Sequence, residues 1–161
     1  MSDTRPVCTP GDPHSKLTKE MSSKTVDVPY RAAVGSLMFL ASVCRPDIGF
    51  SISKASQFME KPGRAHWNAV KRIFSYLNKT SNLGMIYKRA KCESLVLTGF
   101  CDADFAGALD SRRSTSGYLF LLNGNPITWM TRKQTIVAQS TTEAEYVALA
   151  EATKEAQTIT G

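Results

Sequence analysis

The chain has 161 residues, 42% of them hydrophobic and 21% charged, which suits one mid-sized globular domain or two small ones. No apolar run approaches the roughly 20 residues that a membrane-spanning helix needs, and the N-terminus lacks the apolar centre of a secretory signal. Four cysteines without a CxxC pair and two histidines argue against a zinc site. The composition therefore predicts a chain without a membrane-spanning segment, in an intracellular, reducing compartment.

The net charge of +6 is unevenly distributed. Residues 1–95 hold 15 basic and 7 acidic side chains, whereas residues 96–161 hold 5 and 7. A basic half beside a slightly acidic half fits a part that holds nucleic acid next to a part that carries carboxylates. Charge alone fits a basic protein with solvated lysines equally well.

Three helices are predicted in the basic half. Residues 1–26 contain prolines and polar residues without apolar periodicity, and indicate an extended or disordered lead-in. Apolar residues at helical spacing then predict helices over Tyr30–Val43, after Arg45-Pro46-Asp47, and over Arg64–Lys79. Pro46 and Asp47 suit the first turn of the second helix. This helical segment spans residues 27–80.

The apolar period changes after residue 80, and residues 81–93 are predicted to be a linker with a short strand over Leu83–Lys88. Residues 94–161 form the second predicted domain. Its strands are predicted at Ser94–Ala103, Gly117–Leu122 and Ile127–Arg132, the last two joined as a hairpin across Asn123–Pro126, and a helix follows over Thr141–Thr158. The predicted fold class is therefore α+β.

Two aspartates end the first of these strands. Asp102 and Asp104 are two residues apart, so both side chains are expected on one face of the strand. Neighbouring carboxylates repel each other unless a proton or cation lies between them, which makes the pair a candidate Mg²⁺ site. A polar strand end with an Asx turn also explains the pair, and for a bare DxD pattern that explanation is favoured.

Two glutamates begin the last helix. Ser140 and Glu143 fit a capping box, in which Glu143 reaches back to the Ser140 amide, so Glu143 has a structural role. Glu145 stands at the head of an apolar stripe through Ala148, Leu149, Ala152 and Ala156, where an unpaired charge is costly. It is the better functional candidate, although a solvated rim position near the helix dipole explains it as well.

Basic side chains form the candidate nucleic-acid contacts. The polar side of the third helix and the stretch Arg112–Gly117 between the first two strands combine positive charge with hydroxyl groups that suit phosphate oxygens or a 2′-OH. The candidates are Arg64, Lys71, Arg72, Lys79, Arg112, Arg113 and Ser114. A solvated hairpin loop is the simpler explanation of the second stretch.

Several sequence elements occur together in the order found in one family. They are RPDI, HW-x-AVKRI-x-YL, DADFAG, RRSTSGY and STTEAEY, and the likeness covers about residues 5–158. Taken jointly, they make the chain resemble copia-type LTR retrotransposon Pol polyproteins. The resemblance implies a helical segment like the reverse transcriptase thumb or connection, followed by a truncated RNase H-like β-β-β-α unit.

The same resemblance implies a site and its ligands. RNase H enzymes cut the RNA strand of RNA–DNA hybrids by a two-metal mechanism in which clustered carboxylates hold Mg²⁺. Asp102 matches the family's first catalytic aspartate and Glu145 its catalytic glutamate, with Asp104 as an accessory metal ligand. The implied partners are an RNA–DNA hybrid and other Pol segments, and the implied location is a cytoplasmic virus-like particle or the nucleus.

Two departures from the family pattern reduce the expected activity. The later catalytic aspartates of the RNase H domain and a YVDD-like polymerase motif do not occur in the sequence. Enzymatic activity of the isolated chain is therefore expected to be low or absent, with weak Mg²⁺ binding at most. A noncatalytic nucleic-acid-binding module and a degenerate retroelement remnant are the alternatives.

Overall fold

The computed structural model describes residues 7–12, 15, 17–22, 26–89 and 94–161. It divides into two compact units, Met1–Gly84 and Met85–Gly161. The division falls inside the stretch 81–93 where the sequence predicts a linker.

The first unit is helical. It contains α1 (Tyr30–Val43), a 3-10 turn (Pro46–Ile48) that leads into α2 (Gly49–Ser56), and α3 (Arg64–Lys79). The predicted bounds of α1 and α3 are confirmed. A 3-10 turn at Lys19–Ser22 was not predicted, because nothing in its polar sequence distinguishes it from the surrounding lead-in.

One apolar cluster holds the three helices together. Its members are contributed by every helix, as the periodic spacing predicts: Tyr30, Val34, Leu37, Ala41, Ile48, Ile52, Ala55, Val70, Ile73 and Tyr76. The Tyr30 hydroxyl donates a 2.9 Å hydrogen bond to the Ala55 carbonyl, so the cluster contains no unpaired phenol. Burial raises the pKa of Tyr30 to about 12.

The Arg45-Pro46-Asp47 stretch forms a polar bridge to the end of α3. Arg45, only 8% exposed, donates from Nε and one Nη to the two carboxylate oxygens of Asp47 at 2.9 and 2.8 Å. The same guanidinium donates to the Thr80 carbonyl and hydroxyl. The Tyr76 hydroxyl donates to Asp47 at 2.8 Å. Asp47 therefore has a second role besides its place in the 3-10 turn. It bonds to Tyr76 and, with Arg45, stabilises the C-terminal end of α3.

His66 performs a structural task at the start of α3. It is fully buried and stacks on Phe58 with ring centroids 4.0 Å apart. Its Nδ1 accepts a hydrogen bond from the Gly63 amide, and its Nε2 lies 3.0 Å from the Thr18 carbonyl. An Nδ1 that accepts leaves the proton on Nε2, so the neutral ring caps the helix and binds the lead-in.

The second unit is an antiparallel sheet with a helix. Strands β1 (Leu97–Asp104), β2 (Thr115–Leu122) and β3 (Asn125–Lys133) pair in the order β1-β2-β3, and α4 spans Thr141–Thr160. The β2–β3 hairpin is confirmed with a shorter turn than predicted. Asn123 and Gly124 have φ values of 48° and 79°, as a two-residue turn of type I′ requires. The chain is thus α+β, as predicted.

The predicted strand at Leu83–Lys88 is wrong, because these residues form no ladder. The Lys88 amide and carbonyl instead bond to the side-chain amide of Asn125, at 2.7 and 2.9 Å. The Asn125 side chain therefore pairs both backbone groups of Lys88, which a neighbouring strand would otherwise have bonded.

α4 covers one face of the sheet. Ala144, Ala148 and Ala152 are buried against it, and Thr128 on β3 donates a hydrogen bond to Glu155. Among the residues described, no helix is long and apolar enough to cross a membrane.

Candidate functional site

The two aspartates and α4 lie on different faces of β1. Cys101 pairs with Tyr118 and Asp102 pairs with Gly117 in an uninterrupted register. Cys101 lies in an open cavity with residues of α4, so its side chain is on the face that α4 covers. Because successive side chains of a strand alternate, Asp102 and Asp104 extend from the opposite face.

Glu145 lies in that cavity, at the flank of α4. The cavity has a volume of about 510 Å³ and is lined by Cys101, Thr141, Thr142, Glu145, Tyr146 and Leu149. Glu145 is exposed and follows the buried Ala144, so it stands beside the buried stripe. The prediction that its charge heads an apolar stripe is therefore wrong, because the buried stripe starts at Ala144 and Leu149 is 51% exposed. The Glu145 carboxylate is in water.

The three predicted metal ligands lie on two elements, the aspartates on β1 and the glutamate on α4. Asp102, Asp104 and Glu145 are all exposed. Within the described ranges, no group of three or more His, Cys, Asp or Glu side chains is arranged to hold a metal ion. In the sheet formed by these residues β1 pairs with β2 alone, so its other edge is open.

Glu143 belongs to the cap of α4. The Ser140 hydroxyl accepts a 3.1 Å hydrogen bond from the Glu143 amide, as predicted. The Glu143 carboxylate accepts from the Gln139 amide at 2.7 Å, one residue earlier than the expected Ser140 amide. Glu143 is therefore a capping residue, as predicted, although its carboxylate bonds to Gln139 and not to Ser140. Glu145 takes no part in this cap.

The basic residues of α3 contact the lead-in. Arg72 donates to the Thr9 hydroxyl and Lys79 to the Cys8 sulfur, both at 3.0 Å. The hydrogen bond from Lys79 and its positive charge lower the pKa of the Cys8 thiol. Two further residues of α3 are predicted to contact nucleic acid, and they differ in solvent exposure. Arg64 is exposed and Lys71 is half-buried.

The loop before β2 is less open than predicted. Ser114 is fully buried, and its hydroxyl accepts a hydrogen bond from the Ala106 amide at 3.1 Å. It is therefore used inside the fold and is not placed to contact nucleic acid. Arg112 is exposed with a φ of 53°, and Arg113 is half-buried.

Comparison with known proteins identifies the family. The chain is 43% identical to the retrovirus-related Pol polyprotein from transposon TNT 1-94 of Nicotiana tabacum, over 96% of this chain and 12% of that protein. It is 41% identical to the corresponding polyprotein from transposon RE2 of Arabidopsis thaliana, over 99% of this chain and 11% of that protein. The chain belongs to the copia-type retrotransposon Pol family.

A third relative of this Pol segment has a similar length. It is the secreted RxLR effector protein 161 of Plasmopara viticola, 49% identical over 83% of this chain and 93% of that protein. The Pol segment spans about one ninth of the plant polyproteins that it matches. No family profile matches it. No solved structure matches it either.

Sequence reasoning missed a buried glutamine in this Pol segment. Gln134 is 1% exposed and donates from Nε2 to the Ser116 hydroxyl and to the Ala144 carbonyl, both at 2.9 Å. It joins β2 to the first turn of the helix that carries Glu145. The only available signal was its place between β3 and the cap of α4, which does not distinguish it from a loop residue.

Proposed function

We propose that this Pol segment derives from the part of the polyprotein that handles RNA–DNA hybrids, and that its second unit is RNase H-like. The supporting observation is that Glu145 shares one cavity with Cys101, the residue next to Asp102 on the edge strand. A β-β-β-α unit with an acidic residue at the end of its first strand and another in the first helix supports the same assignment.

In this proposal Asp102 and Glu145 hold Mg²⁺ at the open edge of β1, and Asp104 assists. Mg²⁺ is commonly held by one or two carboxylates and keeps several water ligands, and these carboxylates are exposed. Because Asp102 and Glu145 approach β1 from opposite faces, one ion would bind both only around the open edge of the strand. When bound, the ion would activate water and stabilise charge on the leaving oxygen. The hydrogen bonds of Gln134 fix the helix that positions Glu145.

Two carboxylates do not complete a two-metal site, so we expect further ligands from other Pol segments. In the isolated chain, cleavage of a labelled RNA–DNA hybrid with Mg²⁺ is expected to be at or near background. Any cleavage above background should disappear in Asp102→Asn and Glu145→Gln and persist in Glu143→Gln, which removes a neighbouring charge of the same kind. Cleavage that survives both of the first two substitutions would refute the assignment.

A noncatalytic role in nucleic-acid binding is the second candidate, favoured by the basic first unit. Its binding should weaken steeply with salt, because each neutralised phosphate releases counterions. Arg64→Ala is expected to reduce the slope of log K against log [salt] by about 1. An unchanged slope would remove Arg64 from the contact, and hybrid binding that does not depend on salt would refute this candidate.

The Plasmopara viticola relative is named as a secreted effector. Identity with the plant Pol polyproteins extends over nearly the whole chain. Pol ancestry therefore accounts for the shared features, and we propose no effector role.

A further inference from the structure

One hydroxyl residue of the chain is followed directly by proline. Of the seven prolines in the sequence, only Pro10 follows a serine or threonine, and that residue is Thr9. A proline favours extended backbone in the residue before it, and protein kinases bind their substrate peptides in extended form. Thr9 is exposed and lies outside the helices and strands. The chain therefore presents this hydroxyl in a Thr-Pro unit, which is what proline-directed protein kinases recognise.

Thr9 lies against the basic side of α3. Its hydroxyl oxygen accepts a hydrogen bond from Nη2 of Arg72 at 3.0 Å and donates to the Gly11 carbonyl at 2.9 Å. The preceding residue, Cys8, accepts a hydrogen bond from Nζ of Lys79, also at 3.0 Å. Positions 72 and 79 are two helical turns apart, so both cations lie on one side of α3. A negative group at position 9 would therefore contact Arg72, with Lys79 close beside it.

Arg72 has a donor that the unmodified chain does not use. Its Nε is buried, and among the described residues no acceptor bonds to it. In the same unit Arg45 uses Nε and Nη2 together to bind the two carboxylate oxygens of Asp47. Arg72 has a partner at Nη2 alone, because the Thr9 hydroxyl supplies a single oxygen atom. A phosphate ester at the same position supplies three further acceptor oxygens, which suits the paired donors of a guanidinium.

We propose that Thr9 is phosphorylated by a proline-directed protein kinase, and that Arg72 binds the phosphate through Nε and Nη2. In the transfer, the Thr9 hydroxyl oxygen bonds to the γ-phosphorus of ATP. The bond from that phosphorus to the oxygen bridging the β- and γ-phosphates breaks, and ADP leaves. The catalytic base of the kinase takes the hydroxyl proton. The modified side chain carries a charge of about −1.5 to −2 at pH 7.

The exchange of hydrogen bonds favours the bound phosphate. Phosphorylation removes the proton that Thr9 donates to the Gly11 carbonyl, but this hydrogen bond is at the surface, where water replaces it. In return the buried Nε of Arg72 gains an acceptor, and both of its hydrogen bonds become charge-assisted. The positive charge of Lys79 adds to the attraction. The phosphate therefore ties residues 7–12 to α3.

The first test is phosphorylation of the full chain by a purified mitogen-activated protein kinase with ATP, with the modified residues located by mass spectrometry. We expect one phosphate, on Thr9, and none in Thr9→Ala. Pro10→Ala keeps the hydroxyl but removes the Thr-Pro unit, so it should also stay unmodified. An unmodified Thr9 in the wild type would overturn the proposal. So would phosphorylation of Pro10→Ala at the same rate as the wild type.

The second test asks whether Arg72 holds the phosphate. In NMR of the arginine side chains, phosphorylation should move the Nε–H signal of Arg72 downfield and slow its exchange with water. The Nε–H signal of Arg31, which bonds to the Met59 carbonyl, is the control and should stay unchanged. In phosphorus NMR, the pH midpoint of the phosphate should be lower by about 0.5 in the wild type than in Arg72→Gln. Arg31→Gln removes the same charge elsewhere and should keep the wild-type midpoint.

Two results would overturn the binding of the phosphate by Arg72. One is an Nε–H signal of Arg72 that phosphorylation does not move. The other is a phosphate with the same pH midpoint in the wild type and in Arg72→Gln. The proposal is independent of the nuclease and hybrid-binding assignments, so Asp102→Asn should leave both readouts unchanged.

Discussion

Replacing Asp47 by asparagine tests whether the bridge between α2 and α3 stabilises the first unit. The substitution keeps the shape of the side chain and removes the charge that holds Arg45 and the Tyr76 hydroxyl. Arg45 is 9% exposed at its side chain and would keep its hydrogen bonds to Thr80 and at most one to the remaining amide oxygen at position 47. The effect therefore combines a lost ion pair with a charge that remains largely buried.

The magnitude follows from this burial. Hydrogen bonds to charged groups contribute about 1.5–3 kcal/mol each, and breaking a fully buried ion pair costs about 3–5 kcal/mol. The Asp47 side chain is 36% exposed, so water offsets part of that loss. We expect the free energy of unfolding of the first unit to fall by about 2 kcal/mol.

The assay is urea denaturation followed by the fluorescence of Trp67. A Trp129→Phe background removes the tryptophan of the second unit, so that the signal reports the first unit alone. Glu60→Gln is the matched control, because it removes one negative charge from an exposed position. A loss below about 0.5 kcal/mol for Asp47→Asn, equal to that of the control, would refute the reasoning.

The pH dependence of this variant gives a second readout. The hydrogen bond from Arg45 lowers the pKa of Asp47 below its ordinary value of 3.8. A lowered pKa contributes stability above the ordinary value, which is lost as pH falls through the folded-state pKa. Loss of stability below about pH 4 should therefore be smaller in Asp47→Asn than in the wild type.

Three further predictions concern single groups. The pKa of Tyr30 is raised to about 12, so the stability of the first unit should fall as pH rises from 10 towards 12. Tyr30→Phe should remove that dependence in urea denaturation, and an unchanged profile would contradict it. Ser140→Ala should destabilise the second unit by about 1 kcal/mol, measured by Trp129 fluorescence, and Ser140→Asp should restore it. Gln134→Ala should cost about 2–3 kcal/mol in the same assay, because it leaves a cavity and an unpaired Ser116 hydroxyl; a cost under 1 kcal/mol would contradict the bridging role.

Helix bounds were predictable where periodicity and termini agreed. Pro62-Gly63 interrupts helical structure just before α3, and the apolar residues at helical spacing continue to the last turn, which ends at Lys79. Both ends of α3 are therefore marked in the local sequence. The Asn123-Gly124 pair likewise marks its own turn. The strand at Leu83–Lys88 failed because a short apolar run does not reveal whether a partner strand is present, and here Asn125 takes that place.

The candidate site was less predictable, because its residues depend on tertiary contacts. Parity correctly indicates that Asp102 and Asp104 share a face, but only the packing of α4 shows that this face is the uncovered one. The buried stripe of α4 also begins at Ala144, one residue before the position that the sequence predicts. Burial of Ser114 and the bridge through Gln134 depend on residues far apart in sequence, which local patterns do not report.

Magnesium titration of the isolated chain, followed by NMR of the side-chain carboxyl carbons, tests the proposed site most directly. The account predicts that the signals of Asp102 and Glu145 shift together with one saturable affinity, and that both shifts disappear in Asp102→Asn and in Glu145→Gln but persist in Glu143→Gln. Signals that shift independently, or a Glu145 response that survives Asp102→Asn, would contradict a shared ion at the edge of β1.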